Sequence, residues 1–297
     1  MKYLKIVSVN CKSLRRTQEF IRDLCNCNDI ILLQETWLLP TELNLVEEIS
    51  ENHDSIATSA IDSSKRVLNG RPHGGVAILF NKKLTVKIIE CGSPRLAAVE
   101  VKISPKNSLL VITVYMPHGN RKKFSEFCDF LQCIHLITKN YNGSDCLIMG
   151  DFNAHPHSKF GKHLESFCRE HSYRFADKIL LPATSYTYVS DQHKNKSWLD
   201  HCITTERVHR SLRRIAIDYT VKWTDHRCMR IEVDRNILTS SENLPGLPGE
   251  RRKSLRIVYA RLRSLKKCEL PIRRKVSKRL LKRGPAKRMC FCCEQYR

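Results

Sequence analysis

The apolar residues of this 297-residue chain come in runs of at most four to six, as in Leu109–Ile112, and the runs stop on polar or ionisable residues. Runs of that length make buried strands and are too short to span a bilayer. The clearest case is Leu147-Ile-Met-Gly-Asp-Phe-Asn-Ala-His-Pro156, where an apolar strand from Cys146 to Met149 is stopped by Gly150 and followed by Asp151 and Asn153. Residues two apart at the end of an extended strand point the same way, so an acid and an amide are expected together beyond a sheet edge. That pairing suits chemistry needing one proton acceptor and one neutral positioning group on the same reacting atom. Gly-Asp-x-Asn is also an ordinary Asx-turn shape, and the rest of the chain must decide.

Strand-like and helix-like segments alternate over residues 3–233. Lys5–Val9 and Asp29–Leu33 read as short strands around a helix at Arg15–Leu24. Thr41–Ser50 is expected to be a helix capped by Thr41. Strands follow at Ser55–Ser59, Val76–Phe80, Leu84–Glu90, Leu96–Ile103 and Leu109–Tyr115. Lys122–Lys139 is amphipathic, with Phe124, Phe127, Leu131 and Ile134 on or near one face. Later come the Cys146 strand, a helix near Lys162–His171, and strands at Tyr186–Val189, Leu199–Thr204 and Cys228–Val233. The pattern predicts two packed sheets covered by helices.

The formal charge of +22 is uneven. Residues 1–250 hold 34 Lys and Arg against 28 Asp and Glu; residues 251–297 hold 18 against 2. A folded domain over 1–238, a Ser/Pro/Gly-rich linker over 239–250 and a basic tail over 251–297 are expected. The start, Met-Lys-Tyr-Leu-Lys, interrupts its apolar stretch with Lys5 and does not read as a signal peptide. The 14 cysteines have no regular spacing, so reduced thiols in an intracellular protein are expected.

The polar residues at the strand ends, in order, are Asn10, then Gln34-Glu35-Thr36, Tyr115, Asp151 with Asn153, Asp200 within Ser197-Trp-Leu-Asp-His201, and Thr224-Asp225-His226. Singly, Glu35 reads as a helix-start acid, Tyr115 as an edge aromatic and His226 as a surface residue. Six such positions, each at a strand terminus, are not accidental.

Their order resembles the endonuclease/exonuclease/phosphatase superfamily from Tyr3 to about Val233. The loop Gly150-Asp-Phe-Asn-Ala-His with Phe160-Gly161, Ser197-Trp-Leu-Asp-His201 and Gly70-Arg-Pro-His-Gly-Gly-Val-Ala-Ile78 are most similar to the endonuclease domain of non-LTR (LINE-type) retrotransposons. The resemblance implies a four-layer α/β sandwich of two mixed sheets flanked by helices, and a Mg²⁺-dependent endonuclease that nicks DNA, with Mn²⁺ able to substitute. It implies Glu35, with Asn10 and Asp225 close by, as ligands of one Mg²⁺. Asp151 would orient or deprotonate the attacking water, held by Asn153. His226, oriented by Asp200, would donate to a phosphate oxygen, as would Tyr115, and Thr187 and Ser197 would contact phosphate. One position departs: abasic-site endonucleases carry an acid two residues after the first Asn, where this chain has Lys12.

Two other readings stay open: a phosphodiesterase or phosphatase acting on RNA or a small phosphoester, and a nucleic-acid-binding protein with a vestigial pocket. DNA is the expected partner; no membrane or organic cofactor is expected. The reverse-transcriptase motif Tyr/Phe-x-Asp-Asp is absent from the sequence, so it is expected to carry the nicking half alone. In the tail, Leu255, Val258, Leu262 and Leu265 recur at helical spacing. The tail reads either as a solvated or disordered basic extension or as functional, by phosphate-backbone binding and by nuclear import through Arg273-Arg-Lys-Val-Ser-Lys-Arg279.

Overall fold

The computed structural model describes residues 2–61, 72–119, 121–141 and 145–239. The basic tail and the linker beyond Thr239 lie outside the described residues. The chain divides into units at Met1–Gly249 and Glu250–Arg297, and every described residue belongs to the first.

In chain order the elements are β1 Tyr3–Asn10, α1 Leu14–Cys27, β2 Ile30–Gln34, a 3-10 run Pro40–Ile49, β3 His53–Thr58, β4 Val76–Asn81, β5 Val86–Ile89, β6 Leu96–Lys102 and β7 Ser108–Tyr115. Next are α2 Arg121–Asn140, β8 Asp145–Asp151, α3 Lys159–Glu170, β9 Arg174–Phe175, α4 Ala176–Leu180, β10 Tyr188–Val189 and β11 Lys196–Ser197. The last are β12 Asp200–Thr204, α5 Glu206–Ser211, β13 Leu212–Asp218, β14 Cys228–Asp234 and α6 Arg235–Thr239.

The strands form two six-stranded mixed sheets, ordered β13-β14-β1-β2-β4-β3 and β5-β6-β7-β8-β12-β9, with β10-β11 as a separate pair. Each large sheet holds one parallel pair, β1 with β2 and β7 with β8. Strand parity sorts the side chains into layers. Leu4, Ile6, Ile30 and Leu32 from one sheet meet Val99, Val111, Leu147 and Met149 from the other in a single core between the sheets. The alternate residues Val7, Val9, Ile31 and Leu33 face Leu14, Ile21, Leu24 and Val46 outside the first sheet. On the second sheet, Ile112 and Ile148 pack against Phe127, Leu131 and Leu164 of α2 and α3. These strands read as unbroken apolar runs because both faces are buried. The arrangement is the four-layer α/β sandwich.

Two expectations are corrected, and one strand is new. The segment at 41–50 is a 3-10 run that starts at Pro40 and is capped at Leu39, not an α-helix capped by Thr41. The strand expected at Tyr186–Val189 shrinks to the two residues of β10. Strand β13 was not anticipated: its register shifts between Leu212 and Arg214, and an irregularity there disrupts the alternation by which a strand is read.

Two glycines let the site strand pack. Gly150, at φ 148°, would place a Cβ 2.2 Å from the Val114 carbonyl oxygen of neighbouring β7. At Gly161, in the first turn of α3, a Cβ would fall 2.1 Å from the His155 carbonyl oxygen. Ser158 caps α3, its hydroxyl accepting the Gly161 N–H at 3.0 Å. The loop after β8 is therefore clamped by the helix it leads into.

Candidate active site

Both parallel pairs end at the same place. Asn10 and Gln34 are register partners at the ends of β1 and β2, and Glu35 follows at once. Tyr115 and Asp151 are partners at the ends of β7 and β8, and Asp151 also faces Asp200 at the start of antiparallel β12. The parity that sends Leu147 and Met149 into the inter-sheet core carries Asp151 to the rim of that core. Below the rim, Gln34 Nε2 donates to Ser8 Oγ at 3.1 Å and to Thr113 Oγ1 at 2.8 Å, tying the sheets together.

The Asn10 amide joins the two halves of the rim. Its Nδ2 donates to Glu35 Oε1 at 2.8 Å and to Asp151 Oδ2 at 2.9 Å. Glu35, at φ 53°, is held from its other oxygen by Trp37 Nε1 at 2.9 Å. On the far side of Asp151, the His226 imidazole lies between two carboxylates, with Nδ1 2.8 Å from Asp200 Oδ2 and Nε2 3.8 Å from Asp151 Oδ2. Asp151, Asp200 and His226 are all buried, and one ligand atom from each lies within 4.8 Å of the others.

Burial dominates the charges here. It pushes the Asp151 carboxyl above the usual carboxylate range; nearby Asp200 pushes the same way, while His226 and the hydrogen bonds from Asn10 and Asn153 pull it down. Burial alone would lower His226, but Asp200 and Asp151 outweigh it and raise the imidazole to about 10. Tyr115 is pushed well above the usual phenol range by burial and by the charges of Glu35 and Asp151. The site thus holds a poised carboxyl, a protonated imidazole and a neutral phenol, which is one proton acceptor between two donors.

Asn153 is placed differently from the expectation. At φ 50° the chain leaves strand geometry, so parity no longer sends the side chain with Asp151. Its Nδ2 donates to the Met116 carbonyl at 2.9 Å, and its backbone N–H donates to Asp151 Oδ1 at 2.9 Å. The Asn153 backbone N–H therefore helps to orient the acid.

Thr187 lies beneath the start of β12. It is wholly buried, and its hydroxyl oxygen accepts the N–H groups of Leu199 at 3.0 Å and Asp200 at 2.9 Å. Its hydroxyl thus holds the backbone that carries Asp200. Ser197 is half-buried in β11, where its carbonyl accepts the Thr187 N–H at 3.0 Å.

Asp225 is tied to Lys12, whose Nζ lies 2.5 Å from Asp225 Oδ2 and 3.2 Å from Asp191 Oδ2. The sequence marks Lys12 only as a departure and gives no sign of Trp37, while Thr224 stands at a strand end without an assigned role. The Thr224 hydroxyl donates to the Asn10 carbonyl at 2.9 Å and accepts the His226 N–H at 3.2 Å. Its place directly before Asp225-His226 was the available signal. A second buried dyad was missed too: His201 Nδ1 meets Asp177 Oδ2, and its Nε2 meets the Ala154 carbonyl, each at 2.8 Å.

Glu35 and Asp151 present hard oxygen donors no further apart than the two hydrogen bonds that join them through Asn10. Such a set fits a hard divalent cation that keeps most of its water. Asn10 now turns Nδ2 toward both carboxylates, so it would ligate only after presenting Oδ1, which accepts the Lys12 N–H at 3.2 Å.

An acid–imidazole–acid line joined through Asn10 to Glu35 thus stands at the rim of a four-layer sandwich. A sequence profile of the Endonuclease/Exonuclease/phosphatase family matches residues 7–226, and the chain belongs to that family. No curated protein sequence matches it. Among solved structures it is similar to a 3'-5' exonuclease from Neisseria meningitidis, with a TM-score of 0.63, 17% identity, and coverage of 78% of this chain and 100% of that one. It is similar to the AP endonuclease LMAP from Leishmania major, with a TM-score of 0.66, 13% identity, and coverage of 78% and 88%. The endonuclease domain of TRAS1, a telomere-specific non-LTR retrotransposon, is similar with a TM-score of 0.59, 14% identity, and coverage of 78% and 98%. At these identities the likeness is one of fold.

Proposed function

We propose that this domain is a Mg²⁺-dependent endonuclease of retrotransposon type that hydrolyses a phosphodiester bond to nick DNA. The observation that carries the reading is the buried Asp200–His226–Asp151 line joined through Asn10 to Glu35. Asp151, pushed up by burial, takes the proton of a water attacking in line with the leaving oxygen. A base poised near neutrality serves that step better than an ordinary carboxylate. His226, kept protonated by its two carboxylates, donates to a non-bridging phosphate oxygen, and the neutral Tyr115 hydroxyl does the same. Asn10 and Asn153 fix Asp151, while Thr187 fixes Asp200. Bound near Glu35, with Asn10 and Asp225 at hand, Mg²⁺ or Mn²⁺ would supply positive charge at the phosphate and the leaving oxygen.

The basic segment over 251–297 is proposed to add phosphate contacts and, through Arg273–Arg279, nuclear import. Among the described residues no helix is long and apolar enough to cross a membrane.

The test is incubation of the purified chain with supercoiled plasmid. Relaxed circles should form with Mg²⁺ or Mn²⁺, disappear with EDTA, and disappear in Glu35→Ala while its thermal unfolding stays cooperative. Full nicking in excess EDTA withdraws the metal. Phosphate release from small esters with plasmid left intact replaces the endonuclease with a phosphatase.

A further inference from the structure

Trp223 is 70% exposed, whereas Trp198 is 6% exposed and Trp37 half-buried. An isolated exposed apolar residue is ordinary, but this one is rigidly presented. Val221 is buried in the core outside the first sheet, and Thr224 is pinned to the Asn10 carbonyl and the His226 N–H. Between those anchors Lys222 and Trp223 form a short exposed arch. Three residues of chain span at most about 11 Å, so the Trp223 backbone lies within that reach of His226.

The segment that pairs with Asp225 and His226 carries aromatic faces and cations of its own. Tyr186 and Tyr219 pack with ring centroids 4.7 Å apart, and Lys196 Nζ lies 4.4 Å from the Tyr186 ring centre. The Tyr188 ring lies 5.1 Å from His226. Aromatic faces interleaved with cations are the chemistry that holds bases and phosphates of a nucleic-acid strand.

We propose that the Trp223 indole stacks on the face of a nucleobase flanking the phosphate that is cleaved, with Lys222 and Lys196 close to the adjoining phosphates. This inference rests on the nuclease reading. In a paired duplex each internal base already has neighbours on both faces, so the base an indole can cover is an unpaired or terminal one. Trp223 therefore selects DNA with an unpaired base beside the cleaved bond.

The test uses the full chain in EDTA with phosphorothioate DNA, one duplex fully paired and one carrying an unpaired base. Acrylamide quenching of tryptophan fluorescence reads Trp223 once the quenching of Trp223→Phe, which reports the half-buried Trp37 and the buried Trp198, is subtracted. The DNA with an unpaired base should protect that fluorescence and bind more tightly than the paired duplex. Trp223→Ala should weaken its binding about five- to a hundredfold, and Trp223→Phe should retain most of it. Thermal melts of both variants should match the parent, since the side chain is exposed.

Equal binding by Trp223→Ala, or a bound complex whose tryptophan stays open to acrylamide, overturns the stacking role. Protection that grows with protein concentration without DNA assigns the surface to a second copy and overturns it as well. A parent chain that neither binds DNA nor nicks plasmid overturns the nuclease reading. Nicking with Trp223 left exposed overturns only this inference.

Discussion

Asp151 and Asp200 face each other across antiparallel strands β8 and β12, and the single imidazole of His226 lies between their carboxylates. Like charges opposite one another on a sheet are unfavourable, and burial makes them more so. The protonated ring is what lets both remain, so the three groups behave as one unit.

The dyad supplies the first prediction. Asp200→Asn and His226→Ala should each lower the nicking rate by about 10²–10⁴-fold. The double variant should be scarcely slower than the worse single one, because both changes remove the same oriented donor. Single-turnover rates with bound DNA measure this. Losses that multiply would remove Asp200 from the role of orienting His226.

Lys12 gives a second test. Its ammonium neutralises Asp225, so Lys12→Ala should leave the pocket more negative. Divalent-cation affinity, measured by calorimetry or Mn²⁺ resonance, should rise about three- to tenfold, the scale of one partly screened charge. DNA affinity should fall. An unchanged cation affinity would mean that Asp225 does not face the metal.

The His201–Asp177 pair is wholly buried and faces two acceptors, Asp177 Oδ2 and the Ala154 carbonyl. His201→Ala leaves a buried carboxylate without its partner and frees the loop carrying Asn153. Urea unfolding should show a loss of about 3–5 kcal/mol. His201→Gln should recover part of it by donating to one of the two acceptors.

Stability should fall in mild acid through His135 and His171, whose rings stack 3.7 Å apart. Burial lowers both, His135 to about 4, and His135 is lowered further by its neighbour. A histidine lowered in the folded state is neutral there, while the unfolded chain takes up protons below about 6.5. Stability present above that pH is therefore lost as pH falls toward 4. Melting temperature against pH should drop over this window and drop less in His135→Phe.

Deleting residues 240–297 should leave a soluble domain that still turns over. It should bind DNA more weakly and with a shallower dependence on salt, since fewer phosphates are neutralised. Identical binding at every salt concentration would show that the tail makes no contact with nucleic acid.

The sandwich was legible because buried strands on both sheets announce themselves as apolar runs, and most residues of the candidate site because they stand where those runs stop. Asn10, Glu35, Tyr115, Asp151, Asp200 and His226 all fall at strand ends, and the structure gathers them. What stayed illegible depends on backbone angle or on distant partners. The positive φ of Asn153 turned its side chain to the Met116 carbonyl, which strand parity could not foresee. Thr187, a phosphate contact by resemblance, has its hydroxyl under the N–H groups of Leu199 and Asp200, partners that only the folded β11 and β12 supply. Trp37 and Lys12 act through partners that local sequence does not name.

The inter-sheet seam has one more consequence. Asn10 and Glu35 ride on one sheet and Asp151 on the other, so the Asn10–Asp151 contact measures how the two slabs are aligned. A slip of an ångström, too small to register as unfolding, would open that contact like a misread vernier. Substitutions at the opposite end of the seam, at Val101 or Val233, should then detune the reaction from afar. Heating should silence the chain some degrees before it melts.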